Sequence, residues 1–279
     1  MSKTYPSDLT DEQWALLELH IPPCKHGGRH RTVDIRRVVE GILYRNKSGC
    51  QWRMLPKDFP PWGTVYYYFA RWRDEGTLQA INDFFRGWVR VLAGREAGPQ
   101  SGNIDSQTVK STELGGECGF DQARKITGHG RKRHIAVDSM GLLLVVLVTS
   151  AAVEDPVAAL TMVKELDRTK YPRLRKLWAD SKYHNYQLYA QIQNYVDGTW
   201  ELLIVSRPKD KKGWVKLPQR WVVERTFAWL GRYRCHSKDY ERLPTSSAAM
   251  IHVSMIRLML KRLRPSKEYA EFQYRRKIG

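Results

Sequence analysis

The chain has 279 residues, of which 47 are Lys or Arg and 29 are Asp or Glu, so its formal net charge is +18. A chain of this length, roughly two domains of ~100–200 residues, with 42% hydrophobic and 11% aromatic residues can bury a core, which excludes wholesale disorder. The basic surplus is typical of a protein that neutralises phosphate groups, above all those of nucleic acid.

Membrane and secretory signals are weak. The longest apolar run covers residues 142–148, far short of the ~20 residues that cross a bilayer, and the first residues lack a signal peptide's apolar segment. The four cysteines stand far apart with no Cys-x-x-Cys pair, which favours neither a zinc ribbon nor a disulfide framework. We therefore expect a cytoplasmic protein, associated with the bacterial nucleoid and without a membrane partner.

The pattern of residues 1–95 predicts a small helical DNA-binding domain. Thr10 and Gln13 have capping-box spacing before an apolar pattern that ends at two prolines. Thr64 is expected to cap a third helix, and Gly76 precedes a fourth. The second helix is predicted from apolar residues at i, i+3, i+4, i+7 and i+8, namely Ile35, Val38, Val39, Ile42 and Leu43.

The third helix carries side chains that could reach DNA. Tyr66, Tyr67, Arg71 and Arg73 lie on or beside it, as in a helix-turn-helix that presents side chains to a DNA groove. Aromatic residues at helical spacing are also typical of a core, so both interpretations stay open at this point.

Residues 94–102 have the composition of a linker, and we place the domain boundary at residues 95 and 96. Beyond it, a strand is followed by a hairpin that turns at Asp138–Gly141, and helices then alternate with strands. This order predicts an α/β fold for residues 96–279, a mixed sheet flanked by helices as in a ribonuclease-H-like domain, with a basic C-terminal tail. The predicted strands cover residues 103–109, 132–137, 142–149, 174–179 and 200–206. One predicted helix begins at Asp155, and three others cover residues 186–196, 219–230 and 248–263.

Three carboxylates stand in apolar surroundings. Asp105 lies where a strand leaves the linker, Asp180 ends a strand, and Glu224 lies in an apolar helix. A buried carboxylate loses hydration unless it is paired or binds a metal, and oxygen ligands suit Mg²⁺. Each acid has an alternative role, since Asp105 could cap a turn, Asp180 could cap the next helix, and Glu224 could pair with Arg220. Other acids compete, and the pattern alone does not choose among them.

The order of motifs resembles the insertion-sequence transposases of family 5, within the larger DDE group. The resemblance implies that Asp105, Asp180 and Glu224 form the DDE triad and bind two Mg²⁺ ions, for which Mn²⁺ can substitute. It extends over most of the chain, through LTDEQW (9–14), GCQWRMLP (49–56), PWGTVY (61–66), DSQTVK (105–110), GRKRHI (130–135), VDSMGL (137–142), Ala179-Asp180 with Tyr183, and RWVVERTFAWL (220–230).

The family's helical signature is partly met. Arg220 stands four residues before Glu224, whereas the Tyr expected seven residues before is Leu217 and the basic residue expected seven after is displaced to Arg232. The short basic segment 207–218 leaves no room for a large insertion and suggests a DNA-contacting loop, in which Trp214 either stacks on an unpaired base or packs on the core. The residues that we expect to contact DNA are Tyr67, Arg71, Arg73, Lys110, Arg131, Lys132, Arg133, Lys211, Lys212, Trp214, Arg220, Arg225 and Arg232.

The function implied by the resemblance is that of a transposase. Such an enzyme binds the terminal inverted repeats of its element, cuts both ends with metal-activated water and joins the 3′ ends to target DNA, acting as a homodimer on double-stranded DNA. Because metal-activated oxygens are competent nucleophiles, Ser106 is not expected to attack DNA. Two alternatives remain: a DNA-binding regulator without catalysis, and a ribonuclease-H-like nuclease that cuts without joining.

Overall fold

The computed structural model of the chain describes residues 5–24, 31–113, 115–121, 126–166, 168–196, 200–205 and 218–265. The helices are α1 (Asp11–Glu18), α2 (Ile35–Ser48), α3 (Trp62–Asp74), α4 (Thr77–Leu92), α5 (Asp155–Glu165), α6 (Tyr186–Val196), α7 (Pro218–Leu230) and α8 (Pro244–Leu263). The strands are β1 (Ser101–Lys110), β2 (Gly119–Asp121), β3 (Ile126–Asp138), β4 (Leu143–Ser150), β5 (Lys176–Asp180) and β6 (Glu201–Val205). Within these ranges, no helix is long and apolar enough to cross a membrane.

The N-terminal helices follow the local signals in the sequence. Thr10 accepts a hydrogen bond from the Gln13 backbone and completes the expected capping box of α1. Asp34 caps α2, and Gly49 ends it with φ at 71°, a conformation that favours glycine. Thr64 does not cap α3, because that helix already begins at Trp62, directly after Pro61.

The six strands form one mixed sheet. β3 pairs antiparallel with β1 on one side and with β2 and β4 on the other, and β5 and β6 extend the sheet beyond β1 in parallel. The order β4-β3-β1-β5-β6, with helices on both faces, confirms the predicted mixed sheet. The short strand β2 was not predicted, because its three residues are too few to show a period.

Two hydrophobic cores cover the two faces of this sheet. One contains residues of β1, β4 and β5 packed with α5 and α6. The other joins β3 and the start of β4 to α7, α8 and the four N-terminal helices. Fourteen of the twenty residues of α8 are buried, so this last helix lies between the sheet and the N-terminal helices. The division at residues 95 and 96 remains a prediction, and the second core spans both of its sides.

Polar contacts reinforce the packing between α8 and the N-terminal helices. Asn46 donates from Nδ2 to the Met250 carbonyl at 3.0 Å, and Arg257 donates to the Gln13 amide oxygen at 2.8 Å and to the Asp8 carbonyl at 2.9 Å. Each of these groups is buried and hydrogen-bonded, as buried polar groups must be to avoid a desolvation cost.

Candidate active site

The sheet places Asp105 and Asp180 on neighbouring parallel strands. β1 and β5 pair at Asn103 and Trp178, and the two aspartates lie two residues beyond that pair on their own strands. Ile104 and Ala179 belong to the core formed with α5 and α6. Because side chains alternate between the faces of a strand, Asp105 and Asp180 belong to the opposite face, where α7 packs.

Local hydrogen bonds orient both aspartates. Asp105 accepts a hydrogen bond at Oδ1 from the Ser106 backbone at 2.8 Å, and Asp180 accepts one at Oδ1 from the Lys182 backbone at 2.9 Å. Asp180 thus caps the short 3₁₀ helix that follows β5. This is the alternative role considered for Asp180, yet it uses only one carboxylate oxygen and leaves the other for a second partner.

The electrostatics of Tyr183 show that both aspartates lie in its neighbourhood. Burial raises the pKa of this fully buried tyrosine well above its ordinary value, and the negative charges of Asp155, Asp105 and Asp180 raise it further. A rise with this cause means that ionising the hydroxyl would add a negative charge to an acidic region. Tyr183 therefore stays neutral beside the aspartates.

Glu224 comes to this region on α7. Val223 and Leu230 are buried in the core between α7 and the sheet. Thr226 donates to the Gly141 carbonyl at 2.8 Å, and a Cβ at Gly141, whose φ is 80°, would lie 2.7 Å from the Thr226 hydroxyl. This close approach fixes the helix against the β3–β4 turn. Glu224 itself is on an open side of the helix, with 43% of its side chain exposed.

Arg220 connects Asp180 to Glu224. One guanidinium nitrogen, Nη2, lies 3.6 Å from Oδ2 of Asp180 and 3.9 Å from Oε1 of Glu224. The pairing of Glu224 with Arg220, one helical turn earlier, was the alternative role predicted for this glutamate, and it is present. The three acids therefore lie on adjacent elements, and a cation of the protein itself lies between two of them.

The donor set has the right chemistry for a divalent metal but is not gathered around one point. Carboxylate oxygens are the ligands that Mg²⁺ prefers, and the aspartates come from adjacent strands. Within the part of the chain that the structure describes, however, no three His, Cys, Asp or Glu side chains are grouped closely enough to hold a metal ion. The two aspartates have suitable chemistry and lie on adjacent strands, whereas Glu224 is paired with Arg220.

A family model described as "Transposase DDE domain" matches residues 96–259, more than half of the chain. The chain belongs to the DDE transposases. A second model, described as "Putative transposase of IS4/5 family", matches residues 9–82, which agrees with the family resemblance seen in the motifs. The matched DDE domain contains the mixed sheet, so this domain of the transposase has the expected ribonuclease-H-like fold.

Two individual proteins are also similar to this transposase. An uncharacterized Sinorhizobium fredii protein, y4sN, is 29% identical over 103 residues, which are 37% of the present chain and 76% of y4sN. A solved structure, the Mos1 transposase paired-end complex with left transposon end, aligns with a TM-score of 0.26 at 10% identity. That alignment covers 65% of the present chain and 61% of the Mos1 chain, so the present chain spans less than two thirds of the length of the Mos1 chain.

The basic residues of β3 differ from our expectation. Arg131 and Arg133 are 0% and 1% exposed, and they face the segment between α7 and α8. Arg131 pairs with Asp239 at 3.3 Å and donates to three backbone carbonyls, and Arg133 donates to the His236 and Lys238 carbonyls. The donors of both arginines are turned inward and used by the fold, so their contact with DNA stays a prediction that the buried positions do not support.

Lys132, between them in sequence, points to the opposite face of the sheet. Its ammonium donates to the Val153 carbonyl at 2.8 Å and lies 3.6 Å from Asp155, with 11% of its side chain exposed. Ser106 also donates to Asp155, at 2.9 Å, and His134 lies 3.7 Å from the same carboxylate. Sequence reasoning assigned Asp155 only to a helix start, and its link to the strand of Asp105 has no signal in the local pattern.

The other expected DNA contacts have varied positions. Lys110 and Arg232 are exposed, and Tyr67 is 57% exposed. Arg71 pairs with Glu75 at 3.0 Å, whereas Arg73 binds Asp74 and donates to the Ser246 hydroxyl of α8 at 2.7 Å. Arg225 donates to the Met140 carbonyl and stacks on Trp229. Lys211, Lys212 and Trp214 lie outside the described residues.

Proposed function

We propose that this DDE transposase binds the terminal inverted repeats of its own insertion sequence, cleaves the phosphodiester at each end and joins the freed 3′ hydroxyl to target DNA. The observation that carries the proposal is the placement of Asp105 and Asp180 at the same level of two parallel strands, on the face covered by the helix of Glu224. These three residues are also the positions that match the family's acidic triad. The protein would act at the chromosomal DNA, in the cytoplasm.

The three acids are the groups that would hold the metal ions. Two Mg²⁺ ions bound there, or Mn²⁺ in their place, would supply activation of the attacking oxygen and stabilisation of the leaving oxygen. The chain's own task is to orient the carboxylates, which the Ser106 and Lys182 backbone groups do for the two aspartates. Tyr183, neutral and buried, belongs to the core formed with α5 and α6.

Basic side chains that are exposed or partly exposed would hold the DNA backbone beside the acids. Arg220 and Arg225 lie on the same helix as Glu224, and Arg232 follows that helix. Guanidinium groups bind phosphate oxygens through two parallel hydrogen bonds, so they position a strand more strictly than a lysine does. Lys110, Tyr67 and Arg71 would extend the contact surface.

We infer that two copies of the chain act together, because both ends of an element must be cut. An exposed apolar face on α4 offers a surface for this pairing: Phe84, Trp88, Val91 and Leu92 are 37–66% exposed. Arg86 and Arg90 of the same helix are buried on its other side. A face made of apolar side chains does not suit DNA phosphates, and it permits two basic chains to approach each other.

Cleavage of element ends in the presence of Mg²⁺ tests the function. Asp180→Asn and Glu224→Gln should each slow end cleavage by at least about a hundredfold, the loss typical of removing one group that stabilises transition-state charge. Glu96→Gln is the matched control, because this exposed glutamate pairs only with Arg173 at the surface among the ion pairs of the described residues. If either active-site variant cuts as fast as the parent, the assignment of the triad is wrong.

Two further arms separate the alternatives. A DNA-binding regulator would bind element ends equally well with a chelator present and would cut nothing. A nuclease would cut the ends but yield no strand-transfer product when target DNA is supplied. The proposed transposase gives both cleavage and joined products, and only when a divalent metal is present.

A further inference from the structure

Arg220 lies where a charge-neutralising group is needed between two acids. Its Nη2 is within 4 Å of both Asp180 and Glu224, and its side chain is 30% exposed, so the contact lies at the protein surface rather than in the core. A guanidinium keeps its positive charge at every physiological pH. In the free protein, the side chain therefore supplies part of the positive charge that a metal ion would bring to these carboxylates.

Two other described cations near the site, Arg225 and Lys132, are directed elsewhere. Arg225, the neighbour of Glu224, donates to the Met140 carbonyl and stacks on Trp229. Lys132 is paired with Asp155 on the opposite face of the sheet. Among the ion pairs of the described residues, Arg220 is the one basic side chain that contacts both Asp180 and Glu224.

A divalent cation and this guanidinium compete for the same oxygens. Oδ2 of Asp180 and Oε1 of Glu224 are the atoms that face Arg220, and like charges a few ångströms apart repel strongly at a partly buried site. The absence of a three-acid cluster among the described residues agrees with this arrangement, since Glu224 is held toward Arg220 rather than toward both aspartates. In this structure Glu224 therefore faces a cation of the protein itself.

We propose that Arg220 is an internal counter-cation that occupies the acid site in the free protein and leaves it for a DNA phosphate, so that DNA binding and metal binding strengthen each other. The proposal rests on the proposed function, because it assumes that these acids bind a metal. A phosphate offers the guanidinium a bidentate partner of the same charge sign as the carboxylates it gives up. The ligand that binds first, whether DNA or metal, bears the free-energy cost of displacing Arg220. The second ligand then binds without that cost.

Metal binding in the absence of DNA tests the proposal. The free-Mn²⁺ signal in electron paramagnetic resonance gives the affinity of the full-length protein and of three variants. Arg220→Gln should bind Mn²⁺ about tenfold more tightly than the parent, within the range usual for linked sites, because the competing charge is gone. Arg220→Lys keeps the charge and should remain close to the parent. Arg95→Gln removes an equal charge from an exposed arginine that donates to the Ser139 hydroxyl and should also remain close to the parent.

The reciprocal measurement uses a short double-stranded DNA labelled for fluorescence anisotropy and Ca²⁺, a hard cation that takes oxygen ligands, as the metal. Ca²⁺ should increase the DNA affinity of the parent and of Arg95→Gln by a larger factor than that of Arg220→Gln. Thermal unfolding checks that the parent and Arg220→Gln are both folded. Equal Mn²⁺ affinities of these two proteins would then overturn the counter-cation role alone. If neither protein binds Mn²⁺ at all, the metal site of the proposed function fails as well.

Discussion

The arginines of β3 and the arginines at α7 belong to two basic motifs of the same chain, yet the fold uses them in opposite ways. Arg131 and Arg133 are buried and bind the backbone of the segment that links α7 to α8. Arg220 is partly exposed beside the acids, and Arg232 is exposed. A dense basic run in a sequence thus does not by itself identify a DNA-binding surface, because a strand alternates its side chains between two faces and both faces of this sheet are covered.

The largest effect should come from breaking the buried arginine cluster. Arg131→Gln removes the charge partner of buried Asp239 and leaves carbonyl groups without donors, so the free energy of unfolding should fall by about 3–5 kcal/mol. Urea denaturation followed by circular dichroism measures this loss. If Arg131→Gln has the same urea midpoint as the parent, this arginine does not stabilise the fold. The contrast between structural arginines in β3 and functional arginines at α7 then disappears.

A second prediction extends the contrast to a basic group inside the last helix. Burial lowers the pKa of His252 to about 4, with smaller effects from Asp83, Lys170 and Arg86. Between the unfolded value of 6.5 and this folded value, the unfolded chain binds more protons, so stability falls as the pH falls. From pH 7 to pH 5 this one histidine should remove about 2 kcal/mol of stability.

The variant His252→Gln isolates that contribution. Urea denaturation of parent and variant at several pH values gives the difference in unfolding free energy, which should narrow toward acid pH as the parent loses the His252 contribution. A parallel pH dependence in the parent and in His252→Gln would show that His252 has the same pKa in the folded and unfolded protein, contrary to the prediction.

The smallest stability effect is expected for the exposed arginine after α7. Arg232→Gln should change the free energy of unfolding by no more than about 0.5 kcal/mol, as is usual at the surface. It should nevertheless weaken DNA binding and reduce the salt dependence of the affinity by about one phosphate contact. Anisotropy titrations at several salt concentrations measure this slope. An unchanged slope would remove Arg232 from the DNA surface while leaving the contrast with β3 intact.

Most of the fold could be predicted because its signals are local. The capping box before α1, the apolar stripe of α2, and the hairpin that turns at Asp138 each depend on residues a few positions apart, and all three are present. Asp138 indeed accepts hydrogen bonds from the Met140 and Leu142 backbones within the turn. The burial of α8 was not predictable in this way, because a helix apolar on several sides does not state which elements will surround it.

The sequence by itself determined which three acids we propose as the triad, through the family motifs that contain them, and the alternation of strands and helices that puts Asp105 within one strand and Asp180 at the end of another. Only the tertiary structure decided that Arg220 lies between Asp180 and Glu224, and that Arg131 and Arg133 face inward. The physical reason is that hydrogen-bond and apolar periodicity are properties of neighbouring residues. The partner of a charge, in contrast, depends on which distant segments the sheet and helices bring together.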